Sequence, residues 1–185
     1  MTDQVTVNNE RFVLFISEEK IQARVRELGE QINEEYRGRV PIFIGILNGS
    51  FVFMSDLIRN VTVECEVDFI KLSSYGDAKI SSGNVSMLKD LNCQIGGRDI
   101  VIVEDIVDSG LSIDFILRLM SLHIPRSVKV VSLLYKKDAI KIDVPVDYIG
   151  FSIPNYFVIG YGLDYSQKVR NLRGIYRLAD EHLNN

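Results

Sequence analysis

The stretch that decides the fold reads VIVEDIVDSGLS, from Val101 to Ser112. Its opening apolar and mostly β-branched residues are typical of a buried strand. Two adjacent acids, Glu104 and Asp105, come next, followed by a turn that contains Asp108, a glycine and two serines. An apolar pattern with helical spacing then begins. A strand that passes through a loop into a helix is the repeating unit of sheets built from parallel strands.

Segments of strand type and helix type alternate on both sides of this stretch. The strand predictions cover 40–47, 61–72, 99–107, 128–135, 148–153 and 157–161. The helix predictions run from 17 to 36, through 51–58, and through 115–120 with an end before Pro125. This alternation predicts the α/β class, with a mostly parallel twisted sheet flanked by helices. Ligands of such sheets bind beyond the carboxyl ends of the strands. We therefore expect the site in the loops after Leu47, Val103, Tyr135 and Ile159.

The composition is that of one soluble globular domain covering residues 1–185. The chain is 46% hydrophobic and 25% charged, and a domain of this size buries roughly 70% of its unfolded surface without help from a disulfide or a metal. Two distant cysteines and two histidines make a disulfide framework or a zinc site unlikely as an organising element. The first ten residues lack the pattern of a secretory signal, and no apolar run approaches the length of a membrane span, so a cytoplasmic protein without a membrane partner is expected. The net charge of −4 gives little support to nucleic acid as a partner.

The turn after the acidic pair has the features of a phosphate site. Free backbone amides at the start of a helix, together with the helix dipole, attract anions. Ser109 and Ser112 add hydroxyl donors, and Gly110 lets the backbone approach a ligand closely. Beside such a site, Glu104 and Asp105 fit a ribose diol and a hydrated magnesium ion. For either acid taken alone, a solvated strand end is the competing interpretation.

One long segment is poor in core residues. It reads SSYGDAKISSGNVSMLKD, from Ser73 to Asp90. A connection of this length in a compact domain is usually a functional lid or a disordered loop. We predict a lid, and a plain surface hairpin is the alternative.

The stretch VIVEDIVDSGLS resembles the phosphoribosyl pyrophosphate signature of the type I phosphoribosyltransferases. Four further segments resemble parts of the same family: ILNGSFVFMSDLIR its pyrophosphate loop, LSSYGD its lid, SLLYKK its base-contacting lysine segment, and IPNYFVIGYGLDYSQKVRNL its purine-binding hood. Together they resemble the hypoxanthine-guanine phosphoribosyltransferases from about Phe12 to Leu178.

The resemblance implies a fold and an activity. The fold would be the type I phosphoribosyltransferase fold, with a small hood formed by the chain ends, about 1–16 and 148–185. The activity would be purine salvage: transfer of the 5-phosphoribosyl group from phosphoribosyl pyrophosphate to N9 of hypoxanthine or guanine, giving IMP or GMP and pyrophosphate. Mg²⁺ would be the cofactor, and the protein would be a homodimer or homotetramer.

The resemblance also implies roles for individual residues. Asp108 would exchange a proton with purine N7, and its competing role is a helix N-cap. Phosphoribosyl contacts would come from Glu104, Asp105, Ser109, Gly110, Leu111 and Ser112. Pyrophosphate would be held by Leu47, Asn48, Gly49 and Arg170, and in this family the Leu47–Asn48 peptide can be cis. Ser74 and Tyr75 would belong to the lid, and Glu104, Asp105 and Asp164 would form the metal site.

Three residues would contact the base. The resemblance implies that Phe157 stacks on the purine, that the Val158 backbone meets its exocyclic edge, and that Lys136 binds the 6-oxo oxygen. An ammonium offers only donors, so this lysine would accept hypoxanthine and guanine and reject adenine. A core position is the competing interpretation for Phe157, and a solvated strand end is the one for Lys136.

Other functional classes fit less well. Proteins with this fold and signature also serve as RNA-binding regulators, but the sequence has no dense cluster of lysine and arginine. Phosphotransfer receiver domains also place acids at strand ends, yet the Asp-Ser-Gly turn into a helix and the hood-like carboxyl-terminal segment differ from them. The motif GxxxxGK[ST] of the P-loop hydrolases is absent from the sequence.

Overall fold

The structure, a computed structural model, describes residues 3–74, 85–89 and 91–179. In chain order the elements are β1 (Gln4–Val7), β2 (Glu10–Ile16), α1 (Glu18–Glu35), β3 (Ile42–Leu47), α2 (Phe51–Ile58), β4 (Glu66–Ser74), β5 (Val85–Lys89), β6 (Asp99–Val107), α3 (Leu111–Ser121), β7 (Ser127–Tyr135), β8 (Tyr148–Ser152), β9 (Val158–Ile159) and β10 (Ile175–Leu178). A short 3₁₀ turn follows β7. Among these elements, no helix has the length and apolarity that crossing a membrane requires.

Six strands form the large sheet, in the order β5-β4-β3-β6-β7-β8. Five of them are parallel, and β5 pairs with β4 in the antiparallel direction. The predicted α/β class and mostly parallel sheet are therefore confirmed. The bounds of β6 coincide with the predicted strand at 99–107 because this run is apolar on both faces and buried on both.

Helices cover both faces of the large sheet, as parallel strands require. Alternate residues of each strand point to opposite faces. Phe43 and Val101 pack with α1 and α2, whereas Ile44 and Ile102 pack with α3. Each such side chain contributes roughly 1.5–3 kcal/mol when it is fully buried. Helix α1 begins after Ser17, whose hydroxyl accepts a hydrogen bond from an amide of the first turn, so the predicted helix start is confirmed.

Four predicted strands extend past the observed ones; at 40–47 and 148–153 the excess is one or two residues, and at the other two it is larger and has a local reason. Residues 61–65 are outside β4 because the amides of Thr62 and Val63 bind the Asn33 side chain of α1 rather than a neighbouring strand. The predicted strand at 157–161 shrinks to β9, since Gly160 and Tyr161 have left-handed backbones. In the opposite direction, β1, β2 and β10 form where we predicted no strand.

A second, smaller sheet has the order β1-β2-β10-β9 and is antiparallel throughout. It joins the beginning and the end of the described chain, with Ile16 opposite Ile175. Its own core contains Phe12 and Tyr176. Strand β8, which lies inside the predicted hood range of 148–185, is instead the outer strand of the large sheet. All four strands of the small sheet lie inside the two predicted hood ranges, β1 and β2 in 1–16 and β9 and β10 in 148–185.

The predicted lid, 73–90, contains β5, which pairs with the end of β4 in the antiparallel direction, with Ser74 opposite Val85. The carboxylate of Asp68 in β4 accepts hydrogen bonds from the backbone amides of Asn92 and Cys93, at 2.6 and 3.1 Å. Burial by itself raises the pKa of Asp68, but these bonds outweigh it and hold that pKa well below its usual value. This charged anchor fixes the chain where it leaves the hairpin. Tyr75 lies outside the described residues, so the lid stays a prediction.

Candidate active site

The loops that follow β3, β6 and β7 meet at one edge of the large sheet. Val107 ends β6 opposite Tyr135, which ends β7, and the Lys136 amide donates to the Val107 carbonyl oxygen at 3.0 Å. The residues that follow these two strand ends are therefore neighbours. We had expected the site in a loop after Val103. Glu104 and Asp105 instead lie inside β6.

The turn between β6 and α3 has the shape that we predicted for a phosphate site. Gly110 has a φ of +85°, and a Cβ at this position would lie 2.3 Å from the Ile142 carbonyl oxygen, so glycine is required for the turn. Helix α3 begins at Leu111, and its N-cap Gly110 has no side chain to cap it; the Leu111 amide donates weakly to Oγ of Ser109, at 3.5 Å. A small cavity of about 80 Å³ opens here, lined by Glu104, Ile106, Val107, Asp108, Ser109, Gly110, Ser112 and Ile113. An anion in this cavity would face the amino-terminal end of α3.

Asp108 does not cap α3. Its Oδ2 atom lies 3.0 Å from Nζ of Lys136, while Gly110 occupies the N-cap position. The capping interpretation of Asp108 is therefore wrong. Lys136 is 7% exposed, which also excludes the solvated strand end, and the exposed side chain is that of Lys137. The structure thus sets one carboxylate and one ammonium side by side next to the phosphate turn.

Glu104 and Asp105 are both buried, and each is 8% exposed. The alternative of solvated acids at a strand end is therefore wrong. Burial, and then the charge of the neighbouring Asp105, raises the pKa of Glu104 well above its ordinary value. Burial also raises the pKa of Asp105, although a hydrogen bond with Glu104 and the positive charge of Arg170 act in the opposite direction. An incoming cation would favour the charged forms of both carboxylates.

The loop after β3 packs directly against this acidic pair. The Leu47–Asn48 peptide bond is cis. A Cβ on Gly49 would lie 1.8 Å from Oδ2 of Asp105, so only glycine fits at that position. Because any side chain here would collide with the carboxylate, the loop backbone lies against Asp105.

Arg170 is held from three sides. Its guanidinium donates to the Gly162 carbonyl oxygen at 2.8 Å and to Oε1 of Gln167 at 3.1 Å, and it lies 2.7 Å from the Asp164 carboxylate. The predicted metal set of Glu104, Asp105 and Asp164 is not assembled, since the described residues contain no group of three acids, histidines or cysteines arranged around a cation. Asp164 contacts the arginine instead.

Phe157, predicted to stack on the base, is 47% exposed and so is not a core residue. Its ring packs edge-on against Tyr165, with centroids 5.4 Å apart, and leans on Phe12 at 6.0 Å. Val158, the next residue, is buried and pairs through its backbone with β10. The chain just before them is tied to the end of β7, because the Ile153 amide donates to the Tyr135 carbonyl oxygen at 2.9 Å. An open aromatic face therefore stands on the small sheet.

Known proteins can now be compared with this geometry. The family model described as "Phosphoribosyl transferase domain" matches residues 17–166. The chain belongs to the phosphoribosyl transferase family. The hypoxanthine-guanine phosphoribosyltransferase of Bacillus subtilis is 45% identical over 159 residues, which cover 86% of this chain and 88% of that protein. A crystal structure of a hypoxanthine-guanine phosphoribosyltransferase from Bacillus anthracis is 41% identical with a TM-score of 0.86, covering 90% of this chain and 98% of the other.

Not every relative is of the same length. The bifunctional protein TilS/HprT of Listeria monocytogenes is 42% identical over 167 residues, 90% of this chain, but the chain spans only 26% of that protein. The similarity to the solved structures establishes the type I phosphoribosyltransferase fold, and the match to the family model covers most of the chain.

The acidic pair of this phosphoribosyl transferase fits a divalent cation. The Oε2 atom of Glu104 is buried without a hydrogen-bond partner, and both carboxylates are removed from water. Buried polar atoms of this kind normally have a partner. Magnesium prefers few carboxylates together with water and phosphate oxygens, so two protein ligands suffice.

Sequence reasoning missed three residues that shape the site. Tyr161 and Gly162 form the wall behind Gly49, and Asp56 binds the Tyr161 hydroxyl at 2.6 Å. The signal that could have found them is the GYG triplet at 160–162, since paired glycines indicate positive backbone φ angles.

Proposed function

We propose that the protein transfers the 5-phosphoribosyl group of phosphoribosyl pyrophosphate to N9 of hypoxanthine or guanine and releases pyrophosphate. The observation that carries this proposal is the pair formed by Asp108 and Lys136 beside the phosphate turn. One member accepts protons and the other donates hydrogen bonds, as the two edges of a 6-oxopurine require. The names of the relatives support the same substrate class.

Two anion sites bracket the acidic pair in this proposal. The 5-phosphate binds in the turn Asp108–Ser112, where amides at the start of α3 and the serine hydroxyls can donate; the Ser109 oxygen, which accepts from the Leu111 amide at 3.5 Å, keeps its own proton for a ligand. The pyrophosphate binds the backbone of Leu47–Gly49 and the guanidinium of Arg170. Arginine suits this role because its planar fork binds phosphate oxygens in pairs.

The ribose lies between these two anion sites, over Glu104 and Asp105. The orphaned Oε2 of Glu104 accepts a hydrogen bond from a ribose hydroxyl or from metal-bound water. The same pair of carboxylates would hold Mg²⁺, which supplies positive charge to the diphosphate when bound. Asp164 takes part through Arg170, whose guanidinium it orients.

When the base binds, its hydrogen bonds to Lys136 and Asp108 replace the ion pair between these two residues. Lys136 turns from Asp108 to the 6-oxo oxygen, and the freed Asp108 carboxylate accepts the proton of N7 as N9 attacks the sugar. Phe157 offers its open face to the purine ring, and the Val158 backbone meets the exocyclic edge. Departure of pyrophosphate leaves positive charge on the ribose, so the protein acts by alignment and electrostatics without a nucleophile of its own.

The segment from 73 to 90, including Ser74 and Tyr75, closes over this centre in our proposal and keeps water from the cationic sugar. Limited proteolysis tests it. Cleavage within the segment becomes slower when a nucleotide and pyrophosphate are both present. Cleavage at the same rate with and without them would contradict the lid.

The assay of the whole proposal is direct. Each base is incubated with phosphoribosyl pyrophosphate and magnesium, and the ultraviolet spectrum reports nucleotide formation. Hypoxanthine and guanine are consumed with equal release of pyrophosphate, and no product forms when the magnesium is chelated. Absence of nucleotide with every 6-oxopurine would refute the proposed function.

We also propose a homodimer or homotetramer in the cytoplasm. The proposal rests on the family resemblance; Phe51 and Val67 are apolar and 43% and 46% exposed, and a subunit interface that covered them would be favoured by burial of apolar surface. Light scattering gives the mass, and a monomer at micromolar concentration would contradict this assembly.

A further inference from the structure

Three consecutive left-handed residues form a wall behind the pyrophosphate loop. Gly160, Tyr161 and Gly162 have φ angles of +92°, +50° and +99°. A Cβ on Gly162 would lie 2.3 Å from the Gly49 carbonyl oxygen, so the two backbones touch. The Gly162 carbonyl oxygen also accepts the hydrogen bond from Nη1 of Arg170. The positions of Gly49 and Arg170 therefore depend on this wall.

Tyr161 is the one residue of the wall with a side chain, and its backbone conformation is unfavourable for a residue with a Cβ. Its side chain is 3% exposed, and the hydroxyl donates to Oδ2 of Asp56 at 2.6 Å. Burial and then the Asp56 carboxylate raise the pKa of Tyr161 well above its usual value, so the hydroxyl remains a donor. Hydrogen bonds to a charged acceptor are the strong kind, and this one offsets the backbone conformation.

On the side of the helices, the wall packs through Tyr161 on the core that α1 and α2 share, and it also borders a cavity. A cavity of about 570 Å³ lies between α1, α2 and the segment 167–173, and both Tyr161 and Asp56 line it. Gln22 of α1 donates to the same Asp56 oxygen at 2.5 Å and so fixes the acceptor. Across this cavity, the hydrogen bond between Asp56 and Tyr161 is a polar link from α2 to the wall, in addition to the apolar contacts of α2 with it.

We propose that Asp56 is a positioning residue for the pyrophosphate half of the reaction and acts through Tyr161 on Gly49 and Arg170. This inference rests on the proposed function, because it takes these two residues to bind the diphosphate. Asp56 itself contacts no substrate in this proposal. Its Oδ2 atom accepts from Gln22 and Tyr161, and it belongs to α2 rather than to a loop of the site.

The test compares three substitutions at this link. Tyr161→Phe removes only the hydroxyl, Asp56→Ala removes the acceptor, and Asp56→Asn keeps an oxygen that can accept. We expect the first two to raise KM for phosphoribosyl pyrophosphate about tenfold or more, since one charge-assisted hydrogen bond is lost. The kcat and the KM for hypoxanthine change little, and the melting temperature falls by a few degrees because a buried hydrogen bond is lost. The KM of Asp56→Asn for phosphoribosyl pyrophosphate stays within about threefold of the wild-type value. The double variant that combines Tyr161→Phe with Asp56→Ala has the same KM as Asp56→Ala alone, because both changes remove the same hydrogen bond.

A matched control lies on the rim of the same cavity. Glu18 of α1 binds the exposed Arg173 at 2.8 Å, so Glu18→Gln breaks another link between a helix and this loop. Exposed pairs contribute little, and we expect its KM values to equal those of the wild type. The positioning role is overturned if Tyr161→Phe and Asp56→Ala shift KM for phosphoribosyl pyrophosphate no more than this control does. It is also overturned if both KM values, kcat and the melting temperature change together.

Failure of the proposed function is a separate outcome. It would appear as a wild-type protein that forms no nucleotide. Calorimetric titration with pyrophosphate and magnesium then decides the positioning role by itself. Weaker binding by Tyr161→Phe than by the wild type supports the role, whereas equal affinities, or no binding by the wild type, overturn it.

Discussion

A methyl group at Gly49 is expected to disable the diphosphate half of the site. The new Cβ would lie 1.8 Å from Oδ2 of Asp105, whereas ordinary contacts begin at 3.4 Å, so the loop and the carboxylate must separate by about 1.6 Å. Misplacement of reacting groups by about 1 Å can cost on the order of 10²-fold in rate. We therefore expect Gly49→Ala to lower kcat/KM for phosphoribosyl pyrophosphate about 100-fold, which corresponds to roughly 2.7 kcal/mol.

Steady-state kinetics with each substrate varied in turn measures this effect. The KM for hypoxanthine is expected to change little, because the base contacts other loops. Gly96→Ala is the control, since it is also a loop glycine and its Cβ would meet the nearest atom, the His123 carbonyl oxygen, at 3.3 Å. A Gly49→Ala protein within about threefold of the wild type in kcat/KM for phosphoribosyl pyrophosphate would refute the reasoning.

Three further predictions follow from the site and the fold. Asp108→Asn is expected to lower kcat by about 10²- to 10⁴-fold while calorimetry shows unchanged binding of phosphoribosyl pyrophosphate, and near-normal turnover would contradict this role. Lys136→Ala is expected to lose activity on hypoxanthine and guanine while the neighbouring Lys137→Ala keeps it, and wild-type initial rates with adenine are expected to be about 10⁴- to 10⁵-fold lower; equal losses in the two variants would speak against the assignment. The stability to urea is expected to fall below about pH 4, because Asp99 is fully buried and, although burial raises its pKa, bonds from a serine hydroxyl and an arginine hold that pKa below the unfolded value of about 3.9. The stability that Asp99 contributes is complete above its unfolded pKa and is lost as the pH falls through its folded pKa. Asp99→Asn should therefore make the free energy of unfolding depend less on pH in the acid range, and an unchanged dependence would rule out this role of Asp99.

The large sheet could be predicted because its strands are local apolar runs. Strand β6 needs no other part of the chain to be recognised, since the run from Asp99 to Val107 is buried on both faces. Residues 61–65 have the same local character, yet Asn33 on α1 takes their amides. A contact between residues about thirty positions apart leaves no mark on the short segment itself, so the sequence pattern extended the strand too far.

The candidate site shows the same limit. Its residues could be named from their resemblance to a family signature, but their partners could not. Whether Asp108 caps α3 or meets Lys136 depends on the backbone of the turn, and there Gly110 takes the capping position. The pairing of Asp164 with Arg170 likewise depends on positive φ angles at Ser166 and Gln167, which carry no strong sequence preference.

The pairing of β2 with β10 also has a consequence for the order in which the protein is made. Ile16 pairs with Ile175 and Phe12 pairs with Leu178, and the ribosome must synthesise the whole large sheet before these pairs can form. Contacts so far apart in the chain form late. The ring of Phe157 packs against Phe12, so the proposed platform for the purine is completed after the phosphate turn. In a nascent chain, the proposed phosphate site would therefore form before the proposed purine site.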